Sequence, residues 1–194
     1  IVGTAVAPFS KGVTEMAKRG WQAISANFLM PEWVKTHWSS YVQGRESVGA
    51  VAHPSEWRVA KSIFVADDEA TARRYALEAG GPYHFYFKQL SHKLIKGGGR
   101  SNLFKTDPNM PDEALTPDYI TQRLVIAGTV NSVVDQILAF REFIGDFGQL
   151  VYACHDWMDP ALAKRSMQLF AEEVMPAVRQ ASRKIHGEAA LPLD

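Results

Sequence analysis

One short loop combines the residue types that bind phosphate. The segment Ala7-Pro8-Phe9-Ser10-Lys11-Gly12 follows a short β-branched stretch and precedes a basic helical pattern. Free backbone amides and the helix dipole attract anions at a helix N-terminus, where Ser10 adds a hydroxyl, Lys11 a positive charge and Gly12 room for close approach. The loop predicts a phosphate site. A serine N-cap beside a solvated lysine explains the same residues equally simply.

A second group of reactive side chains follows an apolar stretch near the C-terminus. His155-Asp156-Trp157 comes directly after residues 149–154, which predict a strand. Catalytic groups of parallel α/β barrels lie at the carboxyl ends of strands, so His155 and Trp157 are candidates for lining a pocket. Neighbours on a strand face opposite sides, which excludes a relay between His155 and Asp156. Alternatively, Asp156 shapes the turn and Trp157 packs against the last helix.

Two apolar segments could form the walls or the cover of such a pocket. Asn27 and Phe28 end another predicted strand, where they suit the wall for a flat ring or an oily substrate. Core packing accounts for them as well. The aromatic cluster from Tyr83 to Phe87 lies in residues 80–116, an insertion that begins with helical spacing over residues 82–95 and continues as loop. Such segments often close over substrates, although a satellite hydrophobic cluster is the simpler explanation.

Composition and motif content exclude several classes of protein. The 194 residues carry 21 basic and 21 acidic side chains without a long run of one sign, which argues against nucleic acid or membrane as the main partner. Cys154 is the only cysteine and no two of the six histidines are four residues apart, so we expect no metal site. The GxGxxG, Walker and GxSxG patterns are absent. Without a spanning or signal segment, we expect a cytoplasmic protein.

The elements that must position these residues alternate along the chain. Four short apolar stretches predict strands at residues 1–6, 22–28, 58–66 and 149–154, and helical patterns lie between them. Thr116-Pro117 and Asp159-Pro160 predict helix starts. This alternation predicts a parallel sheet in one α/β domain over residues 1–194, with residues 80–116 as an insertion. Four such strands are half of a (β/α)8 barrel, which usually needs roughly 250 residues.

Several segments, taken in order, resemble bacterial luciferase and its flavin-dependent monooxygenase relatives. The subset with limonene and diketocamphane monooxygenases is the most similar, and it shares a His-Trp helix like His37-Trp38. The segments that carry the resemblance are the strand and helix of residues 56–73, the loop of residues 107–112, the helix start of residues 127–133, the strand of residues 147–157 and the helix of residues 166–176.

The resemblance implies a (β/α)8 TIM barrel in which this chain supplies strands five to eight, with an insertion after the seventh strand. It implies a monooxygenase that uses reduced FMN and O2 to oxidise a hydrophobic terpenoid, ketone or aldehyde, with a separate flavin reductase and a homodimeric assembly. The family holds the FMN phosphate in the loop after the fifth strand, here residues 7–12. Asn27, Phe28, His155 and Trp157 are then candidates for the flavin or substrate pocket.

The resemblance leaves the family's first four strands outside residues 1–194. In relatives, the first four strands supply part of the flavin pocket and, in true luciferases, a catalytic histidine, so no catalytic residue is assigned. A deazaflavin-dependent oxidoreductase of the same fold and a non-catalytic flavin-binding or partner subunit are alternatives. We expect the intact polypeptide to be longer at its N-terminus, and residues 1–194 alone not to form a stable, active enzyme.

Overall fold

The computed structural model describes residues 1–155 and 158–186, and a parallel sheet lies at its centre. Every strand pair runs parallel, which confirms the predicted α/β class. Five strands in the described ranges form this sheet, one more than the sequence predicts. They are β1 (Val2–Ala5), β2 (Gln22–Ser25), β3 (Trp57–Val65), β4 (Val125–Gly128) and β5 (Gln149–Ala153).

Helices cover one face of the sheet and the ends of its strands. The described ranges contain α1 (Lys11–Lys18), α2 (Pro31–Glu46), α3 (Glu69–Ala72), α4 (Pro82–His92), α5 (Pro117–Leu124), α6 (Val130–Ile144), α7 (Pro160–Leu169) and α8 (Met175–His186). A π-helical turn, Phe170–Val174, joins α7 to α8. The insertion predicted at residues 80–116 is therefore not all loop, because α4 occupies its first part.

Side-chain caps start the helices where the sequence predicts them. The Ser10 hydroxyl accepts the backbone N–H of Val13 at 3.4 Å, and the Thr116 hydroxyl accepts that of Tyr119 at 3.2 Å. Asp159 accepts two backbone amides at the start of α7. Each cap satisfies an amide that the first helical turn leaves without an acceptor, which fixes where the helix begins.

The longest strand, β3, organises the whole sheet. Arg58 has register partners in both β2 and β5, so those two strands lie on opposite edges of β3. Ser62 has partners in both β4 and β5, so β4 shares its edge with β2. The two short strands β2 and β4 therefore lie end to end along one edge of β3.

Strand β4 corrects the prediction of four strands. Its four residues follow α5 without a break, since the helix ends at Leu124 and the strand begins at Val125. No glycine or proline separates the two elements, and the apolar run Leu124-Val125-Ile126 suits either conformation. Pairing with the distant β3 decides in favour of a strand, because tertiary contacts override weak local preferences.

The two faces of the sheet differ in burial. On the face that we call outer, Trp57 and Lys61 are buried, and Trp57 stacks on Trp38 of α2 with ring centroids 5.9 Å apart. Alternate residues of a strand point to opposite sides, so Arg58 and Ser62 lie on the other, inner face. Arg58 is half-buried and bonds to the side chains of β2 and β5. Helices therefore cover the outer face more completely than the inner one.

In residues 1–155 and 158–186, no helix combines the length and apolar character required to cross a bilayer.

Candidate functional site

Helix α2 holds the predicted phosphate loop between β1 and α1. The backbone N–H of Phe9 donates to the Thr36 hydroxyl at 3.1 Å, and the Phe9 ring meets the Trp33 ring edge-on at 5.9 Å. One helical turn later, the imidazole Nε2 of His37 bonds the Ala7 carbonyl at 2.8 Å. These three contacts fix the loop against α2 before any ligand binds.

The contact to Ala7 belongs to a buried chain of hydrogen bonds. A carbonyl can only accept, so His37 Nε2 carries the hydrogen and Nδ1 is the acceptor. Nδ1 lies 2.8 Å from the Ser25 hydroxyl, whose oxygen accepts the Trp57 indole N–H at 2.9 Å. Burial lowers the pKa of His37, against a smaller opposite effect of the Ala7 bond, so the imidazole is neutral. Every polar group in this chain is satisfied.

Backbone strain is concentrated in the same loop. Phe9 has φ of 46°, and it is the one non-glycine residue with a positive φ among the described residues. The residue is 68% exposed, so burial offsets little of the cost of this conformation. A non-glycine residue held in a left-handed conformation costs roughly 1–3 kcal/mol, and such residues cluster at active sites and ligand clamps. The contacts from α2 stabilise the strained loop.

The loop offers hydrogen-bond donors to an anion. The backbone amides of Lys11 and Gly12 lie in the first turn of α1, where no intrahelical acceptor is available. Both residues are exposed, and the half-buried Pro8 and Ser10 lie just before them. A Cβ at Gly12 would come 3.3 Å from the Ser10 Oγ, so glycine keeps the cap uncrowded. Ser10 is thus an N-cap, and the amides beside it remain suited to phosphate.

A second cluster joins residues from three strands at the carboxyl end of the sheet. The Asn27 Nδ2 donates to the Ser62 Oγ at 2.9 Å, and the Ser62 Oγ lies 3.0 Å from the His155 Nε2. Asn27 and His155 are two residues that the sequence predicts for a pocket, and the fold brings them together through Ser62. Ser62 is not among the residues that the sequence predicts for the site, although a hydroxyl in the middle of a predicted strand, on the same face as Arg58, was a usable signal.

Aromatic residues of α4 surround His155. Its ring stacks on Tyr86 with centroids 3.9 Å apart and contacts the edges of Tyr83 and Phe87. The Tyr83 hydroxyl donates to the Ile63 carbonyl at 2.6 Å, which attaches α4 to β3. Burial lowers the pKa of His155 to about 4. The imidazole is therefore neutral near pH 7 and can form hydrogen bonds without carrying charge.

The other residues that the sequence predicts for the site do not belong to either cluster in the described structure. Phe28 is partly buried and packs against the core. Of the aromatic segment, His84 bonds Asp118 at 2.8 Å and Phe85 is largely exposed, whereas Tyr83, Tyr86 and Phe87 pack against His155. Trp157 lies outside the described residues. Within the described residues, no group of three or more His, Cys, Asp or Glu side chains could hold a metal ion.

The two clusters occupy the same end of the sheet, because all five strands are parallel. The loop follows β1, Asn27 follows β2 and His155 follows β5. One cluster offers amides and a lysine to an anion, and the other offers neutral hydrogen-bonding groups beneath aromatic rings. This arrangement suits an elongated ligand that carries a phosphate at one end and an uncharged, partly apolar group at the other.

Comparison with known proteins gives relatives for most of this chain. No family model matches the sequence. The chain is 28% identical over 158 residues to 2,5-diketocamphane 1,2-monooxygenase 1 of Pseudomonas putida, covering 76% of this chain and 41% of that protein. It is 25% identical over 146 residues to 3,6-diketocamphane 1,6-monooxygenase of the same organism, covering 75% and 38%. The chain thus spans about two fifths of the length of these relatives.

A solved structure has the same fold over nearly the whole chain. It is the oxygenating constituent of 3,6-diketocamphane monooxygenase from Pseudomonas putida, solved in complex with FMN. The TM-score is 0.78 at 23% identity, and the match covers 92% of this chain and 48% of that one. At this identity, the match establishes the fold.

Proposed function

We propose that this chain forms part of a luciferase-like flavin-dependent monooxygenase, an enzyme that uses reduced FMN and O2. The enzyme inserts one oxygen atom into a hydrophobic substrate such as a terpenoid, ketone or aldehyde. The observation that carries the proposal is the loop of residues 7–12, which α2 holds in place and which ends at an exposed, basic helix N-terminus. Sequence similarity to named monooxygenases supports it.

The loop fits the phosphate of FMN. The amides of Lys11 and Gly12 are available as donors, the Lys11 side chain adds positive charge, and Ser10 ends the loop. The contacts of Ala7 and Phe9 with α2 mean that little order must be gained on binding, which favours affinity. Bound FMN supplies the redox chemistry of the reaction.

The second cluster would serve the ring or the substrate. Asn27, Ser62 and His155 can hydrogen-bond a carbonyl or ring heteroatom, and the neutral His155 does so without adding charge. Tyr86 of α4 covers His155 and excludes water from this end, as a lid formed by residues 80–116 would. Phe28, which follows Asn27 and is partly buried, would form part of the apolar wall of the same pocket.

We further propose that the chain supplies strands five to eight of a (β/α)8 barrel, with β1, β2, β3 and β5 in those positions. The insertion after the seventh strand, residues 80–116, then lies between β3 and β5 and contains α4. A half-covered inner face supports this proposal, because a complete barrel fills that face with side chains from the opposite strands. A homodimer, a separate flavin reductase and a cytoplasmic location are proposed with it.

Formation of an oxygenated product tests the proposed function. The protein that contains this chain is mixed with photoreduced FMN, O2 and a bicyclic ketone, and the product is analysed by gas chromatography and mass spectrometry. We expect ketone-dependent product that carries one oxygen atom from 18O2. Turnover with a reduced deazaflavin and no O2 would favour the deazaflavin alternative. Tight FMN binding without product from a panel of ketones, aldehydes and terpenes would favour a non-catalytic subunit.

A further inference from the structure

A buried lysine lies on the outer face of the sheet, away from the cluster around Ser62. Lys61 is 3% exposed, and its Nζ donates to the Leu124 carbonyl at 3.1 Å. The same Nζ lies 4.8 Å from the centroid of the Phe140 ring. Within the described residues, no carboxylate forms an ion pair with Lys61. A buried charged amine without a counter-ion destabilises the fold, so the groups around Lys61 indicate what the amine could bind.

Lys61 lines a cavity of about 490 Å³ between the sheet, α2, α5 and α6. This volume lies within the usual range for sites that hold small organic molecules. Apolar side chains form much of the wall, namely Val125, Ile126, Ala139, Phe140 and Phe143. The cavity therefore suits a compact apolar molecule that meets an amine at one wall.

A carboxylate oxygen in the same cavity lacks a partner. Glu32 accepts the Arg123 guanidinium at 2.7 Å through Oε1, but its Oε2 is buried without a hydrogen bond. A buried acceptor in this state costs free energy that a proton donor would recover. The cavity thus combines an amine with a carboxylate able to take up and return a proton.

The charges around Lys61 determine how much of the amine is free base. Burial and, to a smaller extent, the nearby Arg123 together lower the pKa of Lys61 to about 8, against a smaller opposite effect of Glu32. The next cation, Lys35, lies over the Phe143 ring at 5.0 Å. At pH 7.5 roughly a quarter of an amine with this pKa is neutral, against about one part in a thousand for an ordinary lysine.

We propose that this cavity binds a small apolar aldehyde and that Lys61 forms an imine with it. The Nζ lone pair attacks the carbonyl carbon, and the carbonyl oxygen takes up a proton to give a carbinolamine. Loss of that hydroxyl with a proton releases water and leaves a C=N bond, so no oxidant is needed. Glu32 carries the proton from nitrogen to the leaving oxygen, and the protonated imine keeps one N–H for Leu124. The site lies on the opposite face of the sheet from His155 and is independent of the proposed function.

Reductive trapping tests the site directly. The protein is incubated at pH 7.5 with limiting benzaldehyde and cyanoborohydride, and each lysine is quantified by peptide mass spectrometry. We expect benzylation of Lys61 to exceed that of Lys35 at least about tenfold, with a rate that rises through a midpoint near pH 8. Benzylation of Lys61 no greater than that of Lys35 would overturn the proposal.

A polar probe separates cavity binding from intrinsic reactivity. With glyceraldehyde in place of benzaldehyde, the ratio of labelling at Lys61 to that at Lys35 is expected to fall several-fold, because apolar walls favour the aromatic aldehyde. Equal ratios for the two aldehydes would contradict the proposal. Lys61→Arg is expected to remove the selective label. If that variant does not fold, the two ratios in the unmodified protein still decide the result.

Discussion

At the scale of single residues, the candidate site depends on buried polar groups that are neutral and almost fully hydrogen-bonded. His37 and His155 are both kept uncharged by burial, yet each bonds a serine hydroxyl. Neutral groups of this kind can orient a ligand without the desolvation cost of a buried ion. The charge needed for phosphate lies instead on the exposed Lys11, where water stabilises it before a ligand binds.

The charge of Lys11 can be tested by reversal. We expect Lys11→Glu to weaken FMN binding by about 1–3 kcal/mol, because a charge-assisted contact becomes a repulsive one. Flavin fluorescence titration of the protein that contains this chain measures the effect. Lys18→Glu is the matched control, since Lys18 lies at the far end of α1 and pairs with Glu15. Equal losses in both variants, or none in Lys11→Glu, would contradict the phosphate site.

The buried His155 predicts a dependence of stability on pH. The folded chain keeps His155 neutral down to about pH 4, whereas the unfolded chain protonates it near the ordinary value of 6.5. Between these values the unfolded state binds more protons, so the free energy of unfolding falls as the pH drops from 6.5 to 4. The loss is at most about 3 kcal/mol, since each pH unit corresponds to about 1.4 kcal/mol, and residual solvent near the ring reduces it.

Urea unfolding at several pH values measures this dependence. The variant His155→Gln lacks the titrating ring, so its stability is expected to change less between pH 6.5 and pH 4. His37 titrates in both proteins, and the difference between them therefore isolates His155. Parallel curves for the two proteins would show that His155 is accessible to protons in the folded state.

At the scale of elements, α2 organises the phosphate end of the site. It contacts the loop of residues 7–12, and its Ser40 carbonyl accepts the Thr14 hydroxyl of α1 at 3.1 Å. The two helices approach closely at Gly44, where a Cβ would lie 2.4 Å from the Thr14 carbonyl oxygen and 2.6 Å from the Ala17 Cβ. Glycine at this position allows the close packing of α1 and α2.

Substitution of this glycine tests the packing. We expect Gly44→Ala to destabilise the protein by roughly 1–3 kcal/mol, because the helices must separate. Alanine usually stabilises a helix by about 0.5–1 kcal/mol over glycine, so the sign of the change is diagnostic. Ser39→Ala, at an exposed position of the same helix, is the control for helix propensity. A higher urea midpoint for Gly44→Ala than for the unmodified protein would contradict the close approach.

At the scale of the whole molecule, the uneven cover of the sheet is the main feature. In the described residues, β1 pairs with β2 alone and β5 with β3 alone, so one edge of each strand has no neighbour. Val2 on β1 is 46% exposed, and the inner-face residue Ala60 of β3 is half-buried. Unpaired edges and an incompletely covered face favour association with further strands.

This feature predicts the behaviour of the isolated segment. We expect a polypeptide of residues 1–194 expressed alone to self-associate, to bind a hydrophobic dye and to form no oxygenated product from a ketone with reduced FMN and O2. Light scattering, dye fluorescence and gas chromatography of the product measure these properties. A monomer that unfolds sharply and turns over a ketone would show that the segment is self-sufficient and that the half-barrel proposal is wrong.

The features that could be predicted from the sequence are those that depend on residues close together in the chain. Helix starts at Ser10, Thr116 and Asp159 follow from local capping, and the alternation of strands with helices requires a parallel sheet. Asn27 and His155 were identified because the ends of predicted strands are local features. The loop of residues 7–12 was identified for the same reason.

The features that join distant parts of the chain could be identified only from the tertiary structure. Strand β4 exists because Val125–Gly128 pairs with β3, and Ser62 joins the site because Asn27 and His155 reach it from two other strands. The cavity of Lys61 and Glu32 likewise requires three helices to meet one face of the sheet. No local pattern encodes such contacts, since their energies depend on which distant groups the whole fold brings within bonding distance.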